Sequence, residues 1–254
     1  IKVDIIVNKF KYIDKGKGPV IIFLHGLMGT LSDFNQITKI ISEKGYRILI
    51  PELPIFDLPI LKTTAKEISN FLSEFISHLK LKNVTLLGNS LGGHIALIYT
   101  IKNQSNVKSL ILTGSSGLYE KSMGETFPRR EDYEYIKLKT QEVFYDPKIA
   151  SKKLIDSVYK NVNNRKRAIR ILTLAKSAIR HNLSKELKII QIPTLLIWGN
   201  NDQVTPPEVA KEFKNLIKNS TIRWIDKCGH APMMEHPIIF SNFCLKWLKI
   251  IDEN

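Results

Sequence analysis

Three residues of this chain have the types and the setting for nucleophilic acyl chemistry. Ser90 lies in Gly88-Asn89-Ser90-Leu91-Gly92, directly after the apolar run Val84–Leu87 and directly before a segment with helical spacing. A serine at the tip of so tight a strand-to-helix turn needs small neighbours, and the two glycines supply them. The turn lifts the hydroxyl above the sheet edge and leaves the Leu91 N–H free to meet an oxyanion. With 13 Gly and 17 Ser in 254 residues, chance gives about 0.04 occurrences of Gly-x-Ser-x-Gly. In this setting the motif is read as a nucleophile and not as an inert turn.

A serine hydroxyl reacts poorly unless a base removes its proton, and a histidine base needs a carboxylate to orient it. Both follow later in the chain. Trp198-Gly199-Asn200-Asn201-Asp202 places Asp202 in the loop after one apolar run, and Cys228-Gly229-His230-Ala231-Pro232 places His230 in the loop after the next. Asp226 is the competing carboxylate, but it sits four residues before His230 on the same strand end, so Asp202 is preferred. His25-Gly26-Leu27-Met28-Gly29 follows Val20–Leu24, where Gly-flanked backbone can aim the Leu27 N–H at the space above Ser90 as a second oxyanion donor. His25 reads as a brace for that loop. Together with Gly26, Met28 and Asn89 it is expected at the substrate pocket. Among the other histidines, His78, His94 and His236 read as surface, packing and structural residues. His181, beside Arg180, is expected with that arginine at the pocket.

These loops need strands to hold them. Val3–Val7 and Phe10–Ile13 read as a strand pair, and Val20–Leu24 as a strand buried on both faces. Arg47–Ile50, Val84–Leu87, Val107–Leu112, Thr194–Trp198 and Ile222–Ile225 complete the set. Helices are predicted over Ser32–Lys44, Thr63–Leu79, Leu91–Ile101, Pro207–Ile217 and Pro237–Ile250. The alternation implies a doubly wound, mostly parallel α/β sheet. It is interrupted by a helical insertion with segments at Asp132–Phe144, Ile149–Lys160 and Arg165–Arg180 and no convincing strand. The division is therefore a core of residues 1–114 and 191–254 with an insertion at 115–190.

Composition narrows the classes. Two cysteines, Cys228 and Cys244, without metal-type spacing exclude a disulfide scaffold and a zinc ribbon. No metal or organic cofactor is expected. No apolar run is long enough to cross a bilayer, so no membrane segment is expected. The default location is cytoplasmic, although a chain that opens at Ile1 leaves room for a removed leader. The formal charge of +14 raises a nucleic-acid hypothesis, but no RNP-type aromatic pattern, zinc finger or helix-turn-helix supports it. Residues 117–190 hold 17 Lys+Arg and nine Asp+Glu, a net +8, leaving +6 for the rest. The excess is thus expected over the pocket mouth, where it could draw in anionic substrates.

HGLMG, GNSLGG, WGNNDQVTP and CGHAPMMEHP at this spacing resemble the α/β-hydrolase family over nearly the whole chain. The resemblance implies Ser90 as nucleophile, Asp202 as acid, His230 as base, Leu27 and Leu91 as oxyanion donors, and residues 115–190 as the helical cap. It excludes haloalkane dehalogenases and epoxide hydrolases, which carry Asp in the place of Ser90. The Pro51–Asp57 stretch departs from the D-x-x-G-x-G-x-S run of many members. The activity implied is hydrolysis of a small carboxylic ester or related acyl compound, an anionic one included. Two alternatives stand beside it. One is C–C hydrolysis of diketo acids, or a menaquinone-pathway-type lyase reaction, on the same triad. The other is a catalytically silent, ligand-binding homologue.

Overall fold

A computed structural model describes residues 5–7, 10–120 and 129–253. Strands β1 (Ile5–Val7), β2 (Phe10–Lys15), β3 (Val20–Leu24), β4 (Arg47–Pro51), β5 (Val84–Asn89), β6 (Val107–Thr113), β7 (Thr194–Gly199) and β8 (Ser220–Ile225) form one sheet in the order β1-β2-β4-β3-β5-β6-β7-β8. The first two strands run antiparallel to their neighbours, and all later pairs are parallel. Val3 and Asp4, expected in the first strand, lie outside the described residues.

Nine α-helices accompany the sheet among the described residues: α1 (Asn35–Ser42), α2 (Ala65–His78), α3 (Leu91–Lys102), α4 (Tyr133–Gln141), α5 (Lys152–Asn163), α6 (Arg165–Arg180), α7 (Pro207–Leu216), α8 (Pro232–Glu235) and α9 (Pro237–Glu253). The central strands are buried on both faces, and their side chains divide with the two-residue period of a pleated strand. Ile22, Leu24, Leu86, Leu110, Leu112, Leu196 and Trp198 join the core beneath α2, α3 and α7. Ile21, Phe23, Leu87, Ile111, Leu195 and Ile197 join the opposite core with Ile37 and Ile41 of α1 and Phe240, Cys244 and Leu248 of α9.

This winding fixes where a site can form. The chain leaves β3 through α1 toward one face and leaves β5 through α3 toward the other, yet β3 and β5 are neighbours. The loops after them diverge and open a crevice at the carboxyl edge, the usual ligand position in open α/β sheets.

Residues 115–190 contribute α4, α5 and α6 and, among the described residues, no strand. These helices do not build a separate large core. Ile171, Leu174, Ala175 and Ala178 of α6 join the core beneath α3, and Ile155 of α5 joins that of α9. Only Ile136, Val158 and Val162 form a small cluster between α4 and α5. No helix among the described residues is long and apolar enough to cross a membrane.

Candidate active site

Ser90 connects β5 to α3 with φ 55° and ψ −122°, a conformation that L-residues rarely adopt. The surrounding backbone holds it there. Its N–H donates to the Thr113 carbonyl at 3.1 Å, and its carbonyl accepts from Gly93, His94 and Ser116 N–H at 3.0, 3.2 and 3.1 Å. The flanking glycines are required by close approach. A Cβ on Gly92 would lie 2.0 Å from the Leu24 carbonyl oxygen, and one on Gly88 would lie 2.5 Å from that of Gly92.

His230 is fixed from several sides. His230 Nδ1 lies 2.9 Å from Asp202 Oδ2 and 3.1 Å from Oδ1, with both residues buried. Asp202 is itself held by the Val204 and Thr205 N–H groups, which donate to Oδ1 at 2.8 and 2.9 Å, and by Thr205 Oγ1, which donates to Oδ2 at 2.8 Å. Asp226, the competing carboxylate, instead accepts from Asn200 Nδ2. Burial alone would lower the His230 pKa, but the Asp202 charge and hydrogen bond outweigh it, so the net shift is upward; Glu120 and Glu235 add to the rise. His230 and Ser90 side chains face one cavity, and among the described residues Ser90 Oγ has no hydrogen-bond partner.

The Leu27 and Leu91 N–H groups also have no hydrogen-bond partner among the described residues. Leu27 occupies the turn closed by the Gly29 N–H donating to the Gly26 carbonyl at 3.1 Å, and Leu91 opens α3, where N–H groups lack intrahelical acceptors. A Cβ on Gly26 would lie 3.3 Å from Ser90 Cβ, so the first loop packs directly on the serine. His25 braces that loop. The Leu53 N–H donates to its Nε2 at 3.2 Å, which leaves Nδ1–H to donate to the Gly26 carbonyl at 2.9 Å. Burial lowers its pKa, in keeping with a neutral ring.

The cavity measures about 310 Å³. Gly26, Leu27, Met28, Asn89, Ser90 and His230 line it, with Tyr135 and Thr140 of α4, Leu154 and Val158 of α5, and Ile171, Leu172 and Ala175 of α6. The charged lining residues are Asp33, Lys139 and Glu142, and Lys139 Nζ donates to Glu142 Oε2 at 2.8 Å. Three residues expected at the pocket lie elsewhere. His25 is buried in its bracing role. Arg180 is exposed on α6, opposite the buried stripe Ile171, Leu174, Ala175 and Ala178. His181 is exposed and its Nδ1 lies 3.2 Å from Nε2 of buried His94. Among the described residues, no group of three or more His, Cys, Asp or Glu side chains is placed to hold a metal ion.

Several supporting residues gave little sequence signal. Asn89 lines the cavity, but its amide donates to the Thr113 and His230 carbonyls, each at 3.1 Å. Gly114, at φ +51°, passes so close to His230 that a Cβ there would lie 2.8 Å from Nδ1. Glu235 bridges two segments. Its Oε1 accepts the Gly229 N–H at 2.7 Å, and its Oε2 accepts the Tyr145 and Asp146 N–H groups at 2.8 and 3.4 Å. The His230 N–H donates to the Val143 carbonyl at 2.9 Å, so the His230 loop is tied to the segment after α4. Glu235→Ala is therefore expected to lower kcat by about 10–10²-fold through misplacement of His230, with KM little changed. Glu235→Gln should move the acid limb of kcat/KM to lower pH, because one charge that raises the His230 pKa is lost. Unchanged kinetics and an unchanged limb would remove Glu235 from the positioning of the base.

Residues 19–156 and 148–237 match the family model for the alpha/beta hydrolase fold. The chain is similar to MGS-MChE2, an alpha/beta hydrolase enzyme from a sediment metagenome of the Mar Chica lagoon, Morocco, at 43% identity over 97% of each chain with a TM-score of 0.81. It is 27% identical to Lipase 1 of Psychrobacter immobilis, over 90% of this chain and 77% of the relative. It is 29% identical to 2-hydroxy-6-oxo-6-(2'-aminophenyl)hexa-2,4-dienoic acid hydrolase of Metapseudomonas resinovorans, over 94% of this chain and 87% of the relative.

Proposed function

The chain belongs to the α/β-hydrolase family, and from that premise we propose that it is a serine hydrolase of uncharged carboxylic esters with an apolar acyl chain. His230 Nε2 removes the Ser90 proton as Oγ attacks the ester carbonyl carbon. The oxyanion is held between the Leu27 and Leu91 N–H groups, each such donor typically contributing about 10²–10³ in turnover. Collapse of the intermediate breaks the C–O bond, and the leaving alkoxide takes the proton from His230. A water molecule, deprotonated by the same imidazole, attacks the acyl-enzyme and releases the acid and Ser90. Asp202 keeps Nδ1 protonated and stabilises the imidazolium throughout. Residues 115–190 act as a cap that sets the length of the acyl site.

The observation that carries this reading is the shared cavity of Ser90 and His230, walled mainly by apolar side chains. Its character supports the ester reading over hydrolysis of diketo acids. A carboxylate substrate would meet Asp33 and Glu142, while Lys139, the one lysine or arginine in the described lining, already contacts Glu142. The basic excess of the insertion therefore has no evident role inside the cavity. A series of p-nitrophenyl esters should show kcat/KM rising with acyl length by about fourfold per methylene, the equivalent of about 0.8 kcal/mol of burial, until the cavity is full. Preference for a vinylogous diketo acid, or for a short ester bearing a terminal carboxylate, would overturn the assignment.

A further inference from the structure

The positive charge that the cavity does not use lies on the outside of its wall. Helix α6 carries six basic residues and no acidic one. Ile171, Leu172 and Ala175 face the cavity. Arg165, Ile169, Lys176 and Arg180 are exposed, and their spacing of four, seven and four residues puts them on one outer face. Along this helix runs the segment between β4 and α2. The Arg167 guanidinium stacks 4.8 Å from the Phe56 ring centroid, Arg170 Nε donates to the Leu58 carbonyl at 2.9 Å, and the Ala65 N–H donates to Ser177 Oγ at 3.3 Å.

Between those anchors the segment forms the 3-10 turn Ile60–Lys62. Leu61 is 94% exposed and Ile60 39%, and on α6 Ile169 is 38% exposed. Residues 57–66 and 165–180 together hold eight Lys+Arg and a single acidic residue, Asp57. Leu61 and Ile60 thus leave apolar side chains uncovered at the tip of a turn that carries basic neighbours in sequence. Exposed apolar side chains on a turn anchored to a helix with an exposed basic face are complementary to one kind of partner: an apolar interior beneath a negatively charged surface.

We propose that the outer face of α6 and the Ile60–Lys62 turn form a docking surface for anionic phospholipid membranes. Leu61 and Ile60 insert at the headgroup boundary, and Arg165, Lys166, Lys176 and Arg180 lie against lipid phosphates. No spanning segment is needed for attachment of this kind. The expectation of no membrane partner rested only on the lack of such a segment. Docking on this face would place the cavity on the far side of a single helix from the bilayer, where apolar substrates are concentrated.

The test is co-sedimentation of the full chain with vesicles of phosphatidylcholine alone or with one-third phosphatidylglycerol. Partition onto the anionic vesicles should exceed that onto neutral ones by about tenfold or more and fall as salt is raised. Leu61→Ser should lower it by about tenfold. Arg165→Gln, Lys166→Gln and Lys176→Gln combined should lower it at least as much. Removing three charges elsewhere, at exposed Lys44, Lys211 and Lys218, should leave most of the binding intact. Thermal melting of each variant checks that it folds, so the result does not depend on the ester assignment. Absence of binding to anionic vesicles would overturn the proposal, as would equal losses from the two charge sets. Salt-sensitive retention of duplex DNA that ignores Leu61→Ser, without vesicle binding, would give the face to nucleic acid instead.

Discussion

Ser90→Ala should lower kcat on the best p-nitrophenyl ester by about 10⁶-fold while the protein stays folded. The size follows from how the site is built. Without Oγ no acyl-enzyme forms, so the proton transfers of His230 and the support of Asp202 have no reaction to serve, and removing that atom silences all three together. The residual rate belongs to binding and to the Leu27 and Leu91 N–H groups, which the substitution leaves in place. Alanine carries the same Cβ as serine, so it adds no steric bulk at the φ of 55° that the turn imposes, and the four backbone hydrogen bonds around residue 90 do not involve the hydroxyl. Stopped-flow and steady-state rates, with thermal melting as the folding check, decide it. A loss of less than about tenfold would mean that the acyl group is not transferred to this serine.

Asp202→Asn should cost about 10⁴-fold in kcat, for a reason visible in the hydrogen bonds. The Val204 and Thr205 N–H groups both donate to Oδ1, so the amide oxygen of the new side chain stays on that side. Its NH2 group then occupies the place of Oδ2, 2.9 Å from His230 Nδ1. Two donors cannot face each other there, so the ring must present a lone pair at Nδ1 and carry its proton on Nε2. That tautomer cannot accept the serine proton. The pH profile moves as well. In the unmodified protein, kcat/KM should fall as pH drops through a His230 pKa above its ordinary 6.5, because protonation removes the base. Without the Asp202 charge, burial dominates and the limb moves to lower pH. An unmoved limb, or a kcat within tenfold of the original, would assign the acidic limb to another group.

The parts of this site that could be read from the sequence were those encoded locally. A serine between glycines, after the apolar run Val84–Leu87 and before a helix, marks a tight strand-to-helix turn, and loops after parallel strands gather at one sheet edge. Elements fell near their predicted places for the same reason, with Arg165–Arg180 matching α6 end to end. Residues whose roles arise from packing were not readable. Glu235 matters because Tyr145 and Gly229 meet on its two oxygens, and Gly114 matters because β6 ends against His230. Thr205 steadies Asp202 from three residues away, through both its backbone and its hydroxyl. For Arg180 the sequence itself carries a signal against the pocket. The stripe Ile171, Leu174, Ala175 and Ala178 already turns residue 180 away from the cavity. Residues 117–190 hold the charge excess by count, yet only Lys139 of their basic residues lines the cavity among those described.

The central claim is that Ser90 is the nucleophile, and a fluorophosphonate probe tests it without any assumption about substrate. Intact-mass measurement should show one adduct per chain, and peptide mapping should place it on Ser90 in the sequence LLGNSLGG. Labelling should slow sharply in Asp202→Asn and disappear in Ser90→Ala. A chain that remains unlabelled, or an adduct that persists on another residue after Ser90→Ala, would contradict the account.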